Sequence, residues 1–231
     1  MNRLAVIVPA HNEELLLPGC LTALRACEAD VPVEVVVVAD ACTDGTAAVA
    51  AAAGAHVVAV EAGNVGRARA AGAAYALRAG AEGLWLATTD ADSRVPAGWL
   101  RWQLGHARAG ADLLMGAVRV DDWLRWPDAL RAVYEATYLG AAQAHVHGAN
   151  LGFGAEAYVR AGGFPPLSHD EDHGLIARFR ATGATIVTDA GCPVSTSSRP
   201  VARAPHGFSA HLATLAAGLQ PTGLSRCGGA V

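Results

Sequence analysis

The first ninety residues alternate short, unbroken apolar runs with helix-compatible stretches, and this alternation restricts the fold more than any other feature of the chain. Residues 4–8, 35–39, 56–60 and 84–88 read as strands. Runs rich in β-branched residues without polar alternation are strands covered on both faces. The stretches 15–29, 45–53 and 65–79 read as helices. Strand–helix repeats of this kind are βαβ units, which build a parallel sheet with right-handed crossovers. The fold class is therefore α/β, with a Rossmann-like, mostly parallel sheet and helices on both of its faces.

Past residue 95 the rhythm breaks. A helix is predicted over 96–110, a strand over 112–120, and a long helix over 124–144 carrying Trp126, Leu130, Tyr134 and Tyr138. Glycines crowd 148–163. A further helix is predicted over 170–181, ending at Gly183, and a strand over 185–187. The last thirty residues, with Pro200, Pro205, Pro221, Gly228 and Gly229, read as loosely ordered. No repeat or linker interrupts the chain, so one domain spanning 1–231 is expected.

Composition removes several classes. Hydrophobic residues make up 52% and charged ones 16%, which supplies a core and argues against disorder. The formal charge of −4 lacks the basic field that a nucleic-acid binder needs. All 17 basic residues are arginine, a bias shared with the alanine and glycine content. Cys20, Cys27, Cys42, Cys192 and Cys227 are odd in number and contain no CxxC pair, so reduced thiols in a cytoplasmic protein are expected. The apolar run Ala5 to Val8 is too short for a signal-peptide core, and no stretch approaches about 18 apolar residues, so a chain without a transmembrane segment is expected. Membrane contact would be peripheral.

In an open parallel sheet, ligands bind beyond the carboxyl ends of the strands. Three predicted strands run into acidic loops there: Pro9-Ala10-His11-Asn12-Glu13-Glu14, Asp40-Ala41-Cys42-Thr43-Asp44-Gly45-Thr46, and Thr88-Thr89-Asp90-Ala91-Asp92. Thr43 or Asp44 can serve as helix caps, but capping does not account for three clustered loops. Asp90 and Asp92, one residue apart after a buried strand, can both reach one hard cation. Mg²⁺ and Mn²⁺ take oxygen ligands and are held by one or two carboxylates plus substrate phosphates. In Gly63-Asn64-Val65-Gly66-Arg67-Ala68-Arg69, the two arginines either hold a diphosphate or pair with the nearby acids. The segment does not match GxGxxG and follows the third strand, which argues against a nicotinamide-dependent reductase.

Ser168-His169-Asp170-Glu171-Asp172-His173 opens a predicted helix. Acids suit a helix's first turn, yet three acids between two histidines exceed a cap's needs. Such a cluster can position one carboxylate as a general base. His145 and His147 share a face at strand spacing; together with His206 and His211 they carry a weaker signal. Trp99, Trp102, Trp123 and Trp126 read as packing residues, with one of them a candidate for stacking on a sugar.

In this order the motifs resemble glycosyltransferase family 2, which has the GT-A fold. Val6-Ile7-Val8-Pro9-Ala10-His11-Asn12-Glu13-Glu14 is similar to its opening motif, and Asp40-Ala41-Cys42-Thr43-Asp44-Gly45-Thr46 to its second, usually DxSxDxT. Asn64-x-Gly66-Arg67-x-Arg69-x-x-Gly72 looks like the third, and Asp90-Ala91-Asp92 like the metal-binding DxD. Gly148-Ala149-Asn150, Gly162-Gly163-Phe164 and Glu171-Asp172 follow, so the resemblance covers roughly residues 4–190. It implies a metal-dependent enzyme, with Mn²⁺ or Mg²⁺, that transfers a glycosyl group from a nucleotide-diphosphate sugar, UDP by family frequency. The acceptor would be a small molecule, a lipid-linked molecule or a glycan.

Carried over by residue, Pro9, Ala10, Asn12, Glu13 and Asp40 would line the nucleotide pocket, with Asp40 reading the base. Ala91, Asn150, Arg67 and Arg69 would belong to the same donor site. Asp92 would ligate the metal, and Asp90 would bond the ribose or share the metal. Asp172, beside Glu171, would be the catalytic base of an inverting reaction. Residues 1–95 would form the nucleotide-binding half, 96–195 a mixed acceptor-side half, and 196–231 a flexible end. In that end, Ser198, Arg199, Arg203 and His206 are candidates for contact with diphosphate or metal. QxxRW is missing, which points to transfer of a single sugar, and Cys42 stands where serine is usual. A sugar-nucleotide-forming nucleotidyltransferase would want a Gly-rich basic loop after the first strand. A non-catalytic sugar-nucleotide binder would lack Asp92 or the Glu171-Asp172 pair.

Overall fold

A computed structural model of the chain describes residues 1–120, 122–123, 126–140, 147–199 and 208–219. The chain forms two compact units, Met1–Asp121 with Ala142–Ser197, and Asp122–Ala141 with Ser198–Val231.

The first unit opens with β1 (Arg3–Ala10), α1 (Leu17–Arg25), β2 (Val33–Asp40), α2 (Thr46–Ala52), β3 (His56–Val60), α3 (Val65–Ala76) and β4 (Leu84–Thr88). It continues with β5 (Ser93–Arg94), α4 (Trp99–Arg108), β6 (Leu113–Val120), β7 (Leu151–Gly154), α6 (Ala155–Arg160), α7 (Glu171–Ala181) and β8 (Ile186–Thr196). The second unit contains α5 (Asp128–Gly140) and α8 (Phe208–Gly218). The eight strands form one sheet in the order β3-β2-β1-β4-β7-β6-β8-β5. β3, β2, β1 and β4 are parallel, as the alternation predicts.

The sheet is covered on both faces, which explains its unbroken apolar runs. Leu4, Val6 and Val8 of β1 pack into one core with Leu17, Leu21, Trp99 and Leu104 from α1 and α4. Ala5 and Ile7, pointing the other way, join Ala68, Ala73, Leu175 and Phe179 from α3 and α7. In the second core the Phe153 ring meets Tyr158, Phe164 and Phe179 at centroid distances of 5.1, 5.8 and 6.1 Å. Aromatic pairs at such separations contribute about 0.5–1.5 kcal/mol beyond their buried area.

The second half departs from the sequence reading. β7 is antiparallel to both β4 and β6, and its glycines disguise it as loop. Gly152 is where the Trp85 indole donates to Gln103 Oε1 at 2.8 Å; a Cβ there would collide with Gln103. β8 is 11 residues long where a three-residue strand is predicted, because it pairs along β6 and then with β5. The helix expected at 124–144 is Asp128–Gly140 within the described residues, starting after Pro127. α8 falls within the stretch expected to be loose.

Within the second unit, the Trp126 indole donates to the Ser198 carbonyl at 2.5 Å, and the Trp123 and Tyr134 rings lie 5.3 Å apart. Among the described residues, no helix is long and apolar enough to cross a membrane.

Topology decides what gathers at one edge. β7 runs opposite to β4, so its amino end lies beside the carboxyl end of β4, with Leu151 opposite Thr88. β6 and β8 run with β4, and β5 runs opposite to β8 with Ser93 opposite Thr196. The ends Ala10, Asp40, Thr88, Leu151, Thr196 and Ser93 therefore share one edge of the sheet.

Candidate active site

The loops after β1 and β2 are stitched together. Asn12 Oδ1 accepts the Thr43 amide at 2.8 Å, Glu14 Oε2 accepts the Gly45 amide at 2.8 Å, and the Glu13 amide donates to Thr46 Oγ1 at 2.7 Å. Cys42 acts as a hydroxyl would: its Sγ accepts the Asn12 amide at 3.4 Å and donates to the Ala10 carbonyl at 3.3 Å. His11 Nδ1 lies 2.7 Å from the Asp40 carbonyl, which can only accept, so Nδ1 carries the proton. Asp40 itself is 4% exposed. Its carboxylate accepts the amides of Ala62, Gly63 and Asn64 at 2.7, 2.9 and 2.8 Å. It therefore clamps the loop between β3 and α3.

At the end of β4, the buried guanidinium of Arg69, 4% exposed, bridges two acids. Nη1 pairs with Glu171 Oε1, and Nη2 lies 2.6 Å from Asp90 Oδ1. The Glu171 side chain is 6% exposed, whereas that of Asp90 is 36% exposed. Asp172, half-buried on the first turn of α7, accepts the His173 amide through Oδ1 at 2.8 Å and the Gly148 amide through Oδ2 at 2.9 Å. The Gly148 carbonyl in turn accepts from Thr88 Oγ1 at 2.6 Å. A Cβ on Gly148 would collide with the Arg69 guanidinium.

Asp92 is half-buried. Its Oδ1 lies 3.4 Å from Ser93 Oγ and 3.5 Å from Thr196 Oγ1, and these two buried hydroxyls bond each other at 3.0 Å. Burial pushes the Cys20 thiol far above its ordinary range, and the negative fields of Asp90 and Asp92 push it further. Among the described residues, no three His, Cys, Asp or Glu side chains converge as a metal-binding group. Two half-buried carboxylates at a sheet edge fit a Mg²⁺ or Mn²⁺ ion that takes its remaining oxygens from water and phosphate.

Of the two roles open to Arg69, the structure displays pairing with acids, and Glu171 is its buried partner. Asn150 is fully buried: its Oδ1 accepts the Trp99 indole at 2.8 Å and its Nδ2 donates to the Ala117 and Cys192 carbonyls at 2.8 and 3.0 Å. These bonds tie it into the core. Trp99 is packing, as expected. Trp102 donates to Asp189 Oδ2 at 2.8 Å. Pro9 is half-buried, Ala10 and Ala91 are buried, and Arg67 is exposed on the first turn of α3. His147 immediately precedes the short 3₁₀ turn Gly148–Asn150, with extended backbone. His145, Arg203, His206 and Cys227 lie outside the described residues, as does the His211 side chain.

Thr88, Ser93 and Thr196 were not singled out by sequence. A threonine at a strand end carries no motif, and the partner of Ser93 is 103 positions away.

Three non-glycine residues at these loops have left-handed backbone: Asn12 (φ 53°), Ala41 (φ 49°) and Asp170 (φ 57°). Such conformations cluster at functional sites.

Residues 5–156 match glycosyl transferase family 2. No curated protein sequence matches the chain. Among solved structures, S. aureus TarS (residues 1–349) in complex with UDP-GlcNAc superposes with a TM-score of 0.67 at 18% identity, covering 94% of this chain and 66% of that one. A mannosyltransferase from Pyrobaculum calidifontis, in complex with GDP-Man and Mn²⁺, gives 0.61 at 25% identity, covering 85% and 57%. Glucosyl-3-phosphoglycerate synthase from Mycobacterium tuberculosis, with Mn²⁺, UDP and phosphoglyceric acid, gives 0.62 at 21% identity, covering 86% and 72%. A parallel sheet ending in linked acidic loops, a matched span of about two thirds of the sequence and shared architecture agree: the chain belongs to glycosyl transferase family 2, a glycosyltransferase of GT-A type.

Proposed function

We propose that the protein transfers a single sugar from a nucleotide-diphosphate sugar, with UDP as the favoured nucleotide, to a hydroxyl acceptor, with inversion. The observation that carries this reading is that Asp90, Asp92 and Asp172, all half-buried, gather at one edge of the sheet around the buried Arg69–Glu171 pair. We assign those three distinct tasks. UDP favours this reading because two of the three neighbours described above carry a uridine nucleotide.

A diphosphate entering an acidic site is repelled unless a cation is shared. Asp92, with Asp90 beside it, would hold that Mn²⁺ or Mg²⁺. When bound, the cation would supply charge neutralisation for the departing diphosphate. Asp172 would take the proton of the acceptor hydroxyl, whose oxygen bonds to the anomeric carbon from the face opposite the leaving group. As the anomeric carbon–oxygen bond breaks, its electron pair goes to the diphosphate. The loops after β1 and β2, with Pro9, Ala10, Asn12 and Glu13, would form the nucleotide wall, and Asp40 would shape it through the loop it clamps. Exposed Arg67 is suited to the diphosphate.

A thermal-shift panel of nucleotide-diphosphate sugars with and without Mn²⁺ tests the reading. Bound ligand stabilises in proportion to the logarithm of its concentration over Kd, so about 100-fold over Kd adds about 2.7 kcal/mol. Stabilisation by one donor, abolished by chelator, is expected. Equal stabilisation without metal, or none with any donor, would overturn it.

A further inference from the structure

We infer that Arg69 is a positioning residue that locks the base-bearing start of α7 to the donor-side end of β4. The inference rests on the transferase reading above and adds a role that this reading does not require.

Burying a guanidinium costs several kcal/mol unless its charge is paired and its hydrogens are used. Arg69 spends two separate nitrogens on two separate elements, Nη1 on Glu171 at the start of α7 and Nη2 on Asp90 after β4. A planar fork spans two carboxylates in this way, whereas an ammonium is a single point. A second bridge runs parallel to the first. Thr88 Oγ1 holds the Gly148 carbonyl, and the Gly148 amide holds Asp172 Oδ2. The two bridges touch, because the Arg69 guanidinium fills the volume that a Cβ on Gly148 would occupy. The start of α7 is further seated against α3 through Gly66, where a Cβ would lie 2.5 Å from the Pro165 carbonyl and 3.0 Å from Glu171 Cβ.

Arg69 thus fixes where Asp172 stands relative to Asp90. Its charge also cancels that of Glu171, the residue directly before the base. A displacement of a catalytic group by about 1 Å costs about 100-fold in rate, so the predicted signature is a loss of kcat and not of donor affinity.

The test uses the full chain in two variants. Arg69→Met/Glu171→Leu removes the buried pair together, leaving no unpaired buried charge there, and keeps the packing volume. Arg69→Lys keeps one charge but loses the fork. For the double variant we expect a cooperative melt, a donor KM within about threefold of wild type, and kcat lower by about 100-fold. For Arg69→Lys we expect an intermediate kcat, about tenfold down, because one of the two bonds survives. Wild-type kcat in a folded double variant would overturn the positioning role alone. So would a large loss of donor affinity at unchanged kcat, which would return Arg69 to the donor site. A wild-type protein that turns over no donor would overturn the transferase reading itself, and the role of Arg69 with it.

Discussion

Asp172 Oδ2 accepts the backbone amide of Gly148 at 2.9 Å, so the carboxylate proposed as the base is held by a segment 24 positions earlier in the chain. Its other oxygen accepts the His173 amide at 2.8 Å. Both donors are N–H groups, and both require an acceptor.

Asp172→Asn therefore turns the amide NH₂, a donor, toward one of those donors and removes the base. Donor binding is expected to be retained, with kcat down by about 100- to 10,000-fold, the range for loss of a general base. Single-turnover kinetics beside donor titration check both halves. Transfer at the wild-type rate would refute the assignment.

Asp92→Ala is expected to abolish metal-dependent donor binding in calorimetry with Mn²⁺. Thr196→Val is a finer probe. It removes one of the two hydroxyls that steady Asp92, and a lost hydrogen bond of about 0.5–1.5 kcal/mol should weaken metal-dependent affinity by about three- to tenfold. Unchanged affinity in Thr196→Val would show that Asp92 needs no such support.

Asn150→Ala should behave as a core lesion. It strands the Trp99 indole and the carbonyls of Ala117 and Cys192. Each unsatisfied buried group costs about 1–3 kcal/mol, visible as a lower urea midpoint with an unaltered slope. Donor Kd should not change. A selective loss of donor binding in a fully stable variant would restore Asn150 to the donor site.

Glu171→Gln leaves the buried Arg69 facing Asp90 alone. Breaking a buried pair by removing one partner costs about 3–5 kcal/mol. The Tm should fall in chemical and thermal melts alike. A Tm equal to wild type would show that Glu171 is dispensable to the lock.

A pH test lies away from the acidic edge. The Trp102 indole, the Gly191 amide and His106 hold the Asp189 carboxyl below its ordinary value, against a smaller opposing effect of burial. A depressed carboxyl stabilises the fold above its unfolded pKa, and that stabilisation is lost as pH falls through the folded value. Trp102→Phe should thus lower Tm at neutral pH, and the gap to wild type should narrow below about pH 4. A gap that widens on acidification would reverse the sign.

The parallel half of the fold was legible because its strands are covered on both faces, so Val6, Val8, Val36 and Val38 read as unbroken apolar runs. The antiparallel half was not. Gly152 makes room for a buried Trp85–Gln103 bond, and that glycine argued against the strand that contains it. β5, two residues long, has no pattern to read. In the site, residue type was informative and partnership was not. Asp90, Asp92 and Asp172 stood out as acids in motif positions. The fates of Arg69, Glu171, Asp40 and Asn150 depended on burial, which only long-range packing decides. Thr88 and Thr196 act through partners 60 and 104 positions away.

Ala41 has no side-chain oxygen to ease a φ of 49°, as Asn12 and Asp170 do. Holding it there costs about 1–2 kcal/mol, so the neighbouring bonds of Asp40, Cys42 and Thr43 must fasten the turn. If the proposed donor binds against this turn, it would meet a shape already under tension, and its affinity would not be diluted by the entropy of ordering that stretch.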